Sequence, residues 1–267
     1  MEYFVTCNGI PVHVSDNGEG DKVFVLLHGY LETLYIWEEF KAYLPDSSRI
    51  ICIDLPGAGL SGSDPFINTM DFGAKVLLDL LDRLNVYRPC ILGHSLGGYL
   101  GQRFLADYPD RLSALVNLNS TPYPDAPEVA RDRAKEIDFI TNGKLMALAQ
   151  LVIPNMYSRE SLRRCDEKIA ETIEICETHD PLGIAALVRG MAARESSVGV
   201  LSATKVPVMF IHGGSDHYIP MATVEKIVAD LPSCRHSVLP SSGHNSFIEE
   251  PGDVASRILD FLSTAGC

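Results

Sequence analysis

The residues best suited to do chemistry are Gly93-His94-Ser95-Leu96-Gly97. They join an apolar run at 89–92 to an amphipathic stretch at 98–108. In a sharp turn between a strand and a helix, side chains on either side of the serine would collide, and glycine removes that clash. The pattern therefore predicts that Ser95 presents its hydroxyl at the head of a helix, where it can act as a nucleophile.

A serine nucleophile needs a base to take its proton and an acid to orient that base. Asp216 and His244 each follow an apolar segment that predicts a strand, so the chain order Ser95, Asp216, His244 predicts a catalytic triad. Each residue taken alone also has a structural interpretation: Asp216 could cap the next helix, and His244 could be an ordinary loop histidine. His212 and His217 are rival bases that fit this order less well.

The turn Leu27-His28-Gly29-Tyr30 follows another apolar strand and predicts an oxyanion hole. Its donors are expected to be the backbone amides of Tyr30 and of Leu96, the residue after the serine. Leu96 also opens a helix, whose N-terminal dipole favours negative charge. We interpret His28 as a residue that braces the turn by hydrogen bonds, and also consider it for the pocket wall.

Alternating strands and helices must position these residues. Asn8-Gly9 predicts a hairpin between strands at 3–6 and 12–15. Apolar runs predict further strands at 23–27, 49–53, 89–92, 112–118, 206–212 and 235–239. Helices are predicted at 37–44, 70–84, 98–108, 221–231 and 251–263. The alternation predicts an α/β fold with a mostly parallel, eight-stranded sheet covered by helices on both faces.

Residues 120–204 contain no predicted strand. Their apolar spacing and proline breaks predict helices at 125–140, 143–152, 158–178 and 181–195. A helical block between two sheet strands predicts a cap over the carboxyl ends of the strands, where ligands bind in open α/β sheets. The predicted domains are a core of 1–119 and 205–267 and a cap of 120–204, inserted after the sixth strand.

The cap is expected to set substrate specificity. The predicted pocket wall consists of His28, Trp37, Phe139 and Met146. Other apolar cap residues either line the pocket or pack the cap onto the sheet: Leu145, Leu148, Leu151, Met156, Leu187 and Met191. One or two cap arginines could bind a substrate carboxylate, and the rest are expected on solvated helix faces: Arg131, Arg133, Arg159, Arg163, Arg164, Arg189 and Arg194.

Composition limits the classes of partner. The 267 residues include 22 Lys and Arg against 35 Asp and Glu, and a net charge of −13 argues against nucleic acid or an anionic membrane as partner. The first residues lack the pattern of a signal peptide, and no stretch has the length of a membrane span. Seven cysteines without a Cys-x-x-Cys pair favour reduced thiols. We expect a cytoplasmic monomer or homodimer that acts on a small molecule.

Together these motifs resemble the α/β-hydrolase superfamily, in the branch of small capped serine esterases, haloperoxidase-like enzymes and C–C hydrolases. The matching stretches are Leu27-His28-Gly29, 54–61, 93–98, Gly214-Ser215-Asp216 and Gly243-His244. The resemblance implies the α/β-hydrolase sheet with a helical cap, a triad in the order found here, and no metal or organic cofactor.

Two positions refine what the resemblance implies. Dehalogenases and epoxide hydrolases of the family have an aspartate nucleophile where this chain has Ser95, which disfavours both activities. Some members place the triad acid where this chain has Asn119, and an asparagine cannot supply the charge that stabilises an imidazolium. Asp216 is therefore the expected acid.

The residues and the resemblance predict a serine hydrolase that cleaves an ester-like bond of a small, apolar substrate through an acyl-enzyme. One alternative is a lyase of the menaquinone-pathway type, which would use the same triad as a base and would need cationic groups in its pocket. Another is a ligand-sensing protein that kept the hydrolase fold. An apolar cavity beside Ser95 would favour the ester, and two or more inward arginines would favour the lyase.

Overall fold

The computed structural model describes residues 1–266, which form one sheet with helices on both faces. Its strands are β1 (Glu2–Cys7), β2 (Ile10–Asp16), β3 (Lys22–Leu27), β4 (Ser48–Ile53), β5 (Cys90–His94), β6 (Ala114–Leu118), β7 (Val208–Gly213) and β8 (Arg235–Leu239). They lie in the order β1-β2-β4-β3-β5-β6-β7-β8. Only the β1–β2 and β2–β4 pairs are antiparallel within the described residues. The predicted eight-stranded, mostly parallel sheet is confirmed.

Helices follow most of the parallel strands. They are α1 (Met70–Arg83), α2 (Leu96–Asp107), α3 (Pro127–Thr141), α4 (Leu145–Val152), α5 (Asp166–Ile175), α6 (Pro181–Ala192), α7 (Val198–Ala203), α8 (Met221–Asp230), α9 (Ser246–Glu249) and α10 (Pro251–Ala265). α1 begins after Thr69, whose hydroxyl accepts the Phe72 amide at 3.0 Å. Thr69 is therefore the N-cap residue of α1, and the helix begins at Met70, one residue before Asp71.

The predicted helix at 158–178 is only partly α-helical. Residues 159–164 form turns instead; the Ser158 hydroxyl accepts the Ser161 amide at 3.3 Å, and the Ser158 amide donates to Glu249 Oε2 at 3.1 Å. The continuous helix, α5, therefore begins at Asp166.

Two further segments also differ from the prediction. The stretch at 37–44 forms two short 3-10 helices, Leu34–Trp37 and Phe40–Tyr43, instead of one helix. α7 was not predicted, since its six residues are too few to show a helical period.

Strand periodicity divides the core between the two faces of the sheet. In β3, Phe24 and Leu26 pack on the face covered by α10, whereas Val25 and Leu27 pack on the face covered by α1 and α2. The apolar residues of α3, α4 and α6 join this second cluster. The central strands are thus buried on both sides, as expected for parallel strands.

The segment between β6 and β7 contains α3 to α7. Backbone hydrogen bonds tie it to the loops of the sheet: Asn68 N donates to the Ala186 carbonyl at 3.0 Å, and Asn245 N donates to the Met156 carbonyl at 3.0 Å. The predicted helical cap is therefore present, while its limits at 120 and 204 stay a prediction.

Two other sequence features can be located in the described residues. No helix within 1–266 is long and apolar enough to cross a membrane. The cysteines at 7, 52, 90, 165, 176 and 234 are buried and form no disulfide with one another. Cys267 lies outside the described residues.

Candidate active site

Ser95 lies in the turn between β5 and α2, with a backbone φ of 48°. This left-handed conformation is uncommon for residues other than glycine. A Cβ atom at Gly93 would lie 2.4 Å from the Gly97 carbonyl oxygen, and one at Gly97 would lie 2.2 Å from the Leu27 carbonyl oxygen. Gly93 is thus required by the turn itself, as the sequence suggested, whereas Gly97 is required by the close approach of the end of β3.

Asp216 and His244 form a hydrogen-bonded pair after the adjacent strands β7 and β8. His244 Nδ1 lies 2.8 Å from Asp216 Oδ2, and both side chains are buried. The other oxygen, Asp216 Oδ1, accepts the amides of Tyr218 at 2.8 Å and Ile219 at 3.0 Å. These loop amides hold the carboxylate in the orientation that contacts the imidazole.

The electrostatics of this pair favour a charged acid and a strong base. Burial by itself would raise the pKa of Asp216, but His244 and the hydrogen-bond donors around the carboxylate bring that pKa below its ordinary value. Burial by itself would lower the pKa of His244, but the neighbouring Asp216 carboxylate raises it above its ordinary value. The pair therefore has the polarity that a general base and its orienting acid need.

His244 shares one cavity with Ser95, whereas the rival histidines lie elsewhere. The cavity under the cap has a volume of about 360 Å³. His212 is buried against Phe210, with ring centroids 5.9 Å apart, and burial lowers its pKa to about 4. His217 is exposed. Within residues 1–266, His244 is the histidine that is hydrogen-bonded to Asp216.

The backbone near Ser95 offers the two donors predicted for an oxyanion. Leu96 is the first residue of α2, and Tyr30 lines the cavity together with Ser95. Neither amide donates a hydrogen bond to another group of residues 1–266. Both amides are thus available to a ligand. The positive end of the α2 dipole adds to the attraction of the Leu96 amide for a negative charge.

His28 braces the oxyanion turn from inside the protein. Its Nδ1 lies 2.7 Å from the Gly29 carbonyl oxygen, and its Nε2 accepts the Leu55 amide at 2.9 Å. The ring is fully buried and does not line the cavity. The bracing interpretation therefore fits the structure, and the suggestion that His28 belongs to the pocket wall is wrong.

A buried carboxylate beneath the site was not predicted from the sequence. Glu32 Oε2 accepts the Gly29 amide at 2.6 Å and lies 2.9 Å from His94 Nδ1. His94 Nε2 lies 3.1 Å from the His244 carbonyl oxygen. The His94 ring thus links the Gly29 turn, through Glu32, to the Ser95 turn and to the loop of His244.

Asn119 holds the acid rather than replacing it. Its Nδ2 donates to Asp216 Oδ2 at 3.0 Å and to the Gly243 carbonyl at 3.0 Å, and its Oδ1 accepts the Ser246 hydroxyl at 2.5 Å. Its φ of 47° is one that asparagine tolerates better than most residues. The sequence signal that could have predicted this positioning role is an asparagine directly after β6, at the same edge of the sheet as the expected acid.

The other three residues predicted for the pocket wall also lie away from the cavity, so that prediction is wrong for them too. Trp37 is fully buried on the opposite face of the sheet, with its ring 4.3 Å from that of Phe247. Phe139 is 38% exposed on the outside of the cap, and Met146 is partly buried against the core cluster that joins the cap to the sheet. Helical spacing identifies an apolar face but does not say which neighbour that face meets.

Other residues form the apolar part of the cavity wall. From the longer list of cap candidates, Met156 and Met191 line the cavity. Val152, Ile219 and Tyr218 also contribute, and the Tyr218 ring meets the His244 ring edge-on at 5.2 Å between centroids. The space beside Ser95 is therefore lined by methionine, aliphatic and aromatic side chains.

Two of the seven cap arginines reach this cavity. Arg133 and Arg194 line it, together with the carboxylates of Asp125 and Glu136. Arg164 donates to the Glu249 carbonyl, Arg189 donates to the Phe66 carbonyl, and Arg131, Arg159 and Arg163 are exposed. Among residues 1–266, no group of three or more His, Cys, Asp or Glu is arranged to hold a metal ion.

The sheet, the glycine-flanked serine after β5, and the acid and base after β7 and β8 define an α/β-hydrolase. A family model for the alpha/beta hydrolase fold matches residues 22–147. The chain therefore has the α/β-hydrolase fold and is similar to enzymes of that class, as the sequence motifs predicted.

Individual relatives have different activities. The chain is 28% identical to a putative 2-succinyl-6-hydroxy-2,4-cyclohexadiene-1-carboxylate synthase of Bacillus subtilis, with 96% of each chain covered. It is 26% identical to a 2-hydroxy-6-oxononadienedioate/2-hydroxy-6-oxononatrienedioate hydrolase of Burkholderia vietnamiensis, covering 95% of this chain and 91% of the relative. A solved thermophilic esterase from Thermogutta terrifontis superposes with a TM-score of 0.91 at 27% identity, over 99% of both chains.

Proposed function

We propose that the protein is a serine hydrolase that cleaves an ester-like bond of a small substrate through an acyl-enzyme. The observation that carries this proposal is the 2.8 Å hydrogen bond that His244 Nδ1 donates to Asp216 Oδ2, on the cavity that also contains Ser95 at the head of α2. The likeness to a solved esterase supports the same chemistry.

The geometry assigns a role to each group. Asp216 holds Nδ1–H of His244, which leaves Nε2 to take the proton of Ser95 as its oxygen attacks the substrate carbonyl. The amides of Tyr30 and Leu96 then stabilise the oxyanion. His244 gives its proton to the leaving alcohol, and a water molecule activated by the same imidazole releases the acid from Ser95.

The cavity limits the size and polarity of the substrate. A volume of about 360 Å³ lies at the small end of the range for ligand pockets. Met156, Met191 and Val152 offer an apolar surface for an acyl chain. We therefore assign a short- to medium-chain acyl ester as the substrate class.

The lyase is the second candidate, because Arg133 and Arg194 line the cavity and one relative is a putative carboxylate synthase. Both arginines are already paired with carboxylates of the chain, Asp125 and Glu136. Two positive and two negative charges cancel, so the cavity lacks the excess positive charge that a polyanionic substrate requires. This balance favours the neutral ester.

Hydrolysis of a series of 4-nitrophenyl esters from acetate to octanoate tests the proposal. We expect Ser95→Ala to lose activity by about 10³-fold or more. Ser202→Ala, which removes an exposed serine of α7, serves as the control and should hydrolyse the esters at the wild-type rate. Mass spectrometry of the wild type after rapid acid quench should show the acyl group on the peptide that contains Ser95.

Two outcomes would contradict the proposal. Near wild-type hydrolysis by Ser95→Ala would exclude Ser95 as the nucleophile. If the wild type hydrolysed every ester with kcat/KM far below about 10⁴ M⁻¹ s⁻¹, the lower end for enzymes on their own substrates, the lyase would be favoured. A single turnover without further product would instead favour the ligand-sensing alternative.

A further inference from the structure

The charged part of the cavity wall is built around one carboxylate. Asp125 Oδ1 lies 2.7 Å from Arg194 Nη1, and Asp125 Oδ2 lies 3.3 Å from Arg133 Nε. Each oxygen thus meets a different arginine, and the Asp125 side chain is only 4% exposed. All three residues line the cavity that contains Ser95 and His244.

Both guanidinium groups are held in place by other groups as well. Arg194 packs over the Tyr99 ring at 4.1 Å from the centroid and donates to the Met191 carbonyl at 2.8 Å. Arg133 lies over the Tyr30 ring at 5.9 Å, and its Nη1 is 3.2 Å from Glu136 Oε2. The arginines would therefore keep their positions without the Asp125 carboxylate.

Arg194 retains hydrogen-bonding capacity. Its side chain is 7% exposed, and its Nε is buried without a hydrogen-bond partner among residues 1–266. A buried guanidinium is most stable when carboxylate oxygens satisfy its donors. The site around Asp125 therefore has the donors of a carboxylate-binding site, and a carboxylate of the chain itself occupies it.

We propose that Asp125 is a specificity-determining residue: its carboxylate fills the anion site formed by Arg133 and Arg194, so the enzyme accepts neutral acyl esters and rejects those that carry a carboxylate. The proposal rests on the serine hydrolase function. A substrate carboxylate near the arginines would meet the negative charge of Asp125 and, on displacing it, would leave that charge buried without a partner. Selectivity arises from this repulsion rather than from an attraction.

A matched pair of substrates tests this directly. The 4-nitrophenyl ester of hexanoic acid and the mono-4-nitrophenyl ester of adipic acid have the same chain length and leaving group, and only the second carries a terminal carboxylate. We expect the wild type to prefer the hexanoate by about 100-fold or more in kcat/KM, as charge repulsion and an unpaired buried charge combine.

Asp125→Asn keeps the shape of the side chain and removes its charge. We expect this variant to raise the ratio of kcat/KM for the adipate ester to kcat/KM for the hexanoate ester by about 10- to 100-fold, the range for one or two hydrogen bonds to a charged group. Asp125→Glu keeps the charge and should keep the wild-type preference. Adding Arg194→Gln to Asp125→Asn should abolish the gain, because the gain requires a free guanidinium.

The outcomes separate this inference from the proposed function. If Asp125→Asn hydrolyses hexanoate normally but has the wild-type preference, the inference is overturned and the hydrolase function stands. If the wild type hydrolyses both esters equally, the inference is overturned without any variant, so poor folding of Asp125→Asn cannot hide its failure. If the wild type hydrolyses neither ester, the hydrolase function and the inference both fall.

Discussion

His94 Nδ1 lies 2.9 Å from Glu32 Oε2, and neither side chain is exposed to solvent. The two residues are 62 positions apart in the chain and meet beneath the candidate active site. Through the Gly29 amide and the His244 carbonyl, their contact joins the turn that binds the oxyanion to the loop that carries the base. The candidate site therefore depends on a buried contact between two side chains that do not line the substrate cavity.

Glu32→Gln should destabilise the protein, because it removes the buried carboxylate that accepts the Gly29 amide and contacts His94. A hydrogen bond to a charged group is worth about 1.5–3 kcal/mol, and the free energy of unfolding in urea should fall by that order. Glu38→Gln is the control, since its exposed carboxylate pairs with Lys41 at the surface and should contribute little. An unchanged urea midpoint in Glu32→Gln would mean that the pair adds no net stability.

The pH dependence of kcat/KM should report the His244–Asp216 pair. Neutral His244 is the base, so activity is lost as the pH falls through its pKa, which lies above the ordinary histidine value because of the Asp216 carboxylate. The acidic limb should therefore have its midpoint above about pH 6.5.

Asp216→Asn should lower the His244 pKa and move this acidic limb to lower pH. The loss of the orienting carboxylate should at the same time decrease kcat by about 10⁴-fold. A limb that stays in place in Asp216→Asn, measured from pH 4 to 9 on 4-nitrophenyl acetate, would assign the titration to another group.

Asn119 is a positioning residue for Asp216, and its variants should change kcat and the pH profile rather than KM. Asn119→Ala removes a hydrogen bond to a charged group, worth about 1.5–3 kcal/mol, so kcat should fall about tenfold or more. KM should not change, because Asn119 does not line the cavity.

Asn119→Asp tests the same contact with a different donor. Two carboxyl groups 3.0 Å apart share one proton, so the new carboxyl can still donate to Asp216 Oδ2, and the acidic limb should lie closer to that of the wild type than in Asn119→Ala. If both variants have the wild-type pH profile, Asn119 acts on the fold alone and the positioning role is excluded.

The acyl-chain preference should follow the volume beside Ser95. Val152 is partly buried on the cavity wall, so Val152→Phe should shorten the space and lower kcat/KM for the hexanoate ester by about 10- to 200-fold, while acetate hydrolysis changes little. Phe139→Leu is the control on the outside of the cap and should not change the ratio of the two rates. An unchanged ratio in Val152→Phe would place the acyl chain elsewhere.

The sequence predicted the fold, and it predicted the residues that the structure brings together at the candidate site, because both leave local signals. Period-two and period-3.6 apolar patterns mark strands and helices wherever they occur. A Cβ atom at Gly93 would lie 2.4 Å from the Gly97 carbonyl oxygen within the same turn, so the Ser95 turn could be predicted from five residues. Asp216 and His244 follow β7 and β8, and parallel strands bring their carboxyl ends together.

The pocket could not be predicted in the same way. Trp37 was expected on its wall but lies on the opposite face of the sheet against Phe247, more than 200 positions away in the sequence. The orientation of a cap helix about its own axis depends on which residues it meets, so Met156 faces the cavity while Phe139 faces outward.

The sequence by itself determined the α/β alternation, the serine turn and the chain order of nucleophile, acid and base, since these follow from short patterns and from sheet topology. The tertiary structure alone decided which polar and charged side chains meet: Glu32 with His94 beneath the site, and Asp125 between Arg133 and Arg194 in the cavity. Buried charges are stable only with partners, and those partners come from distant parts of the chain that packing brings together.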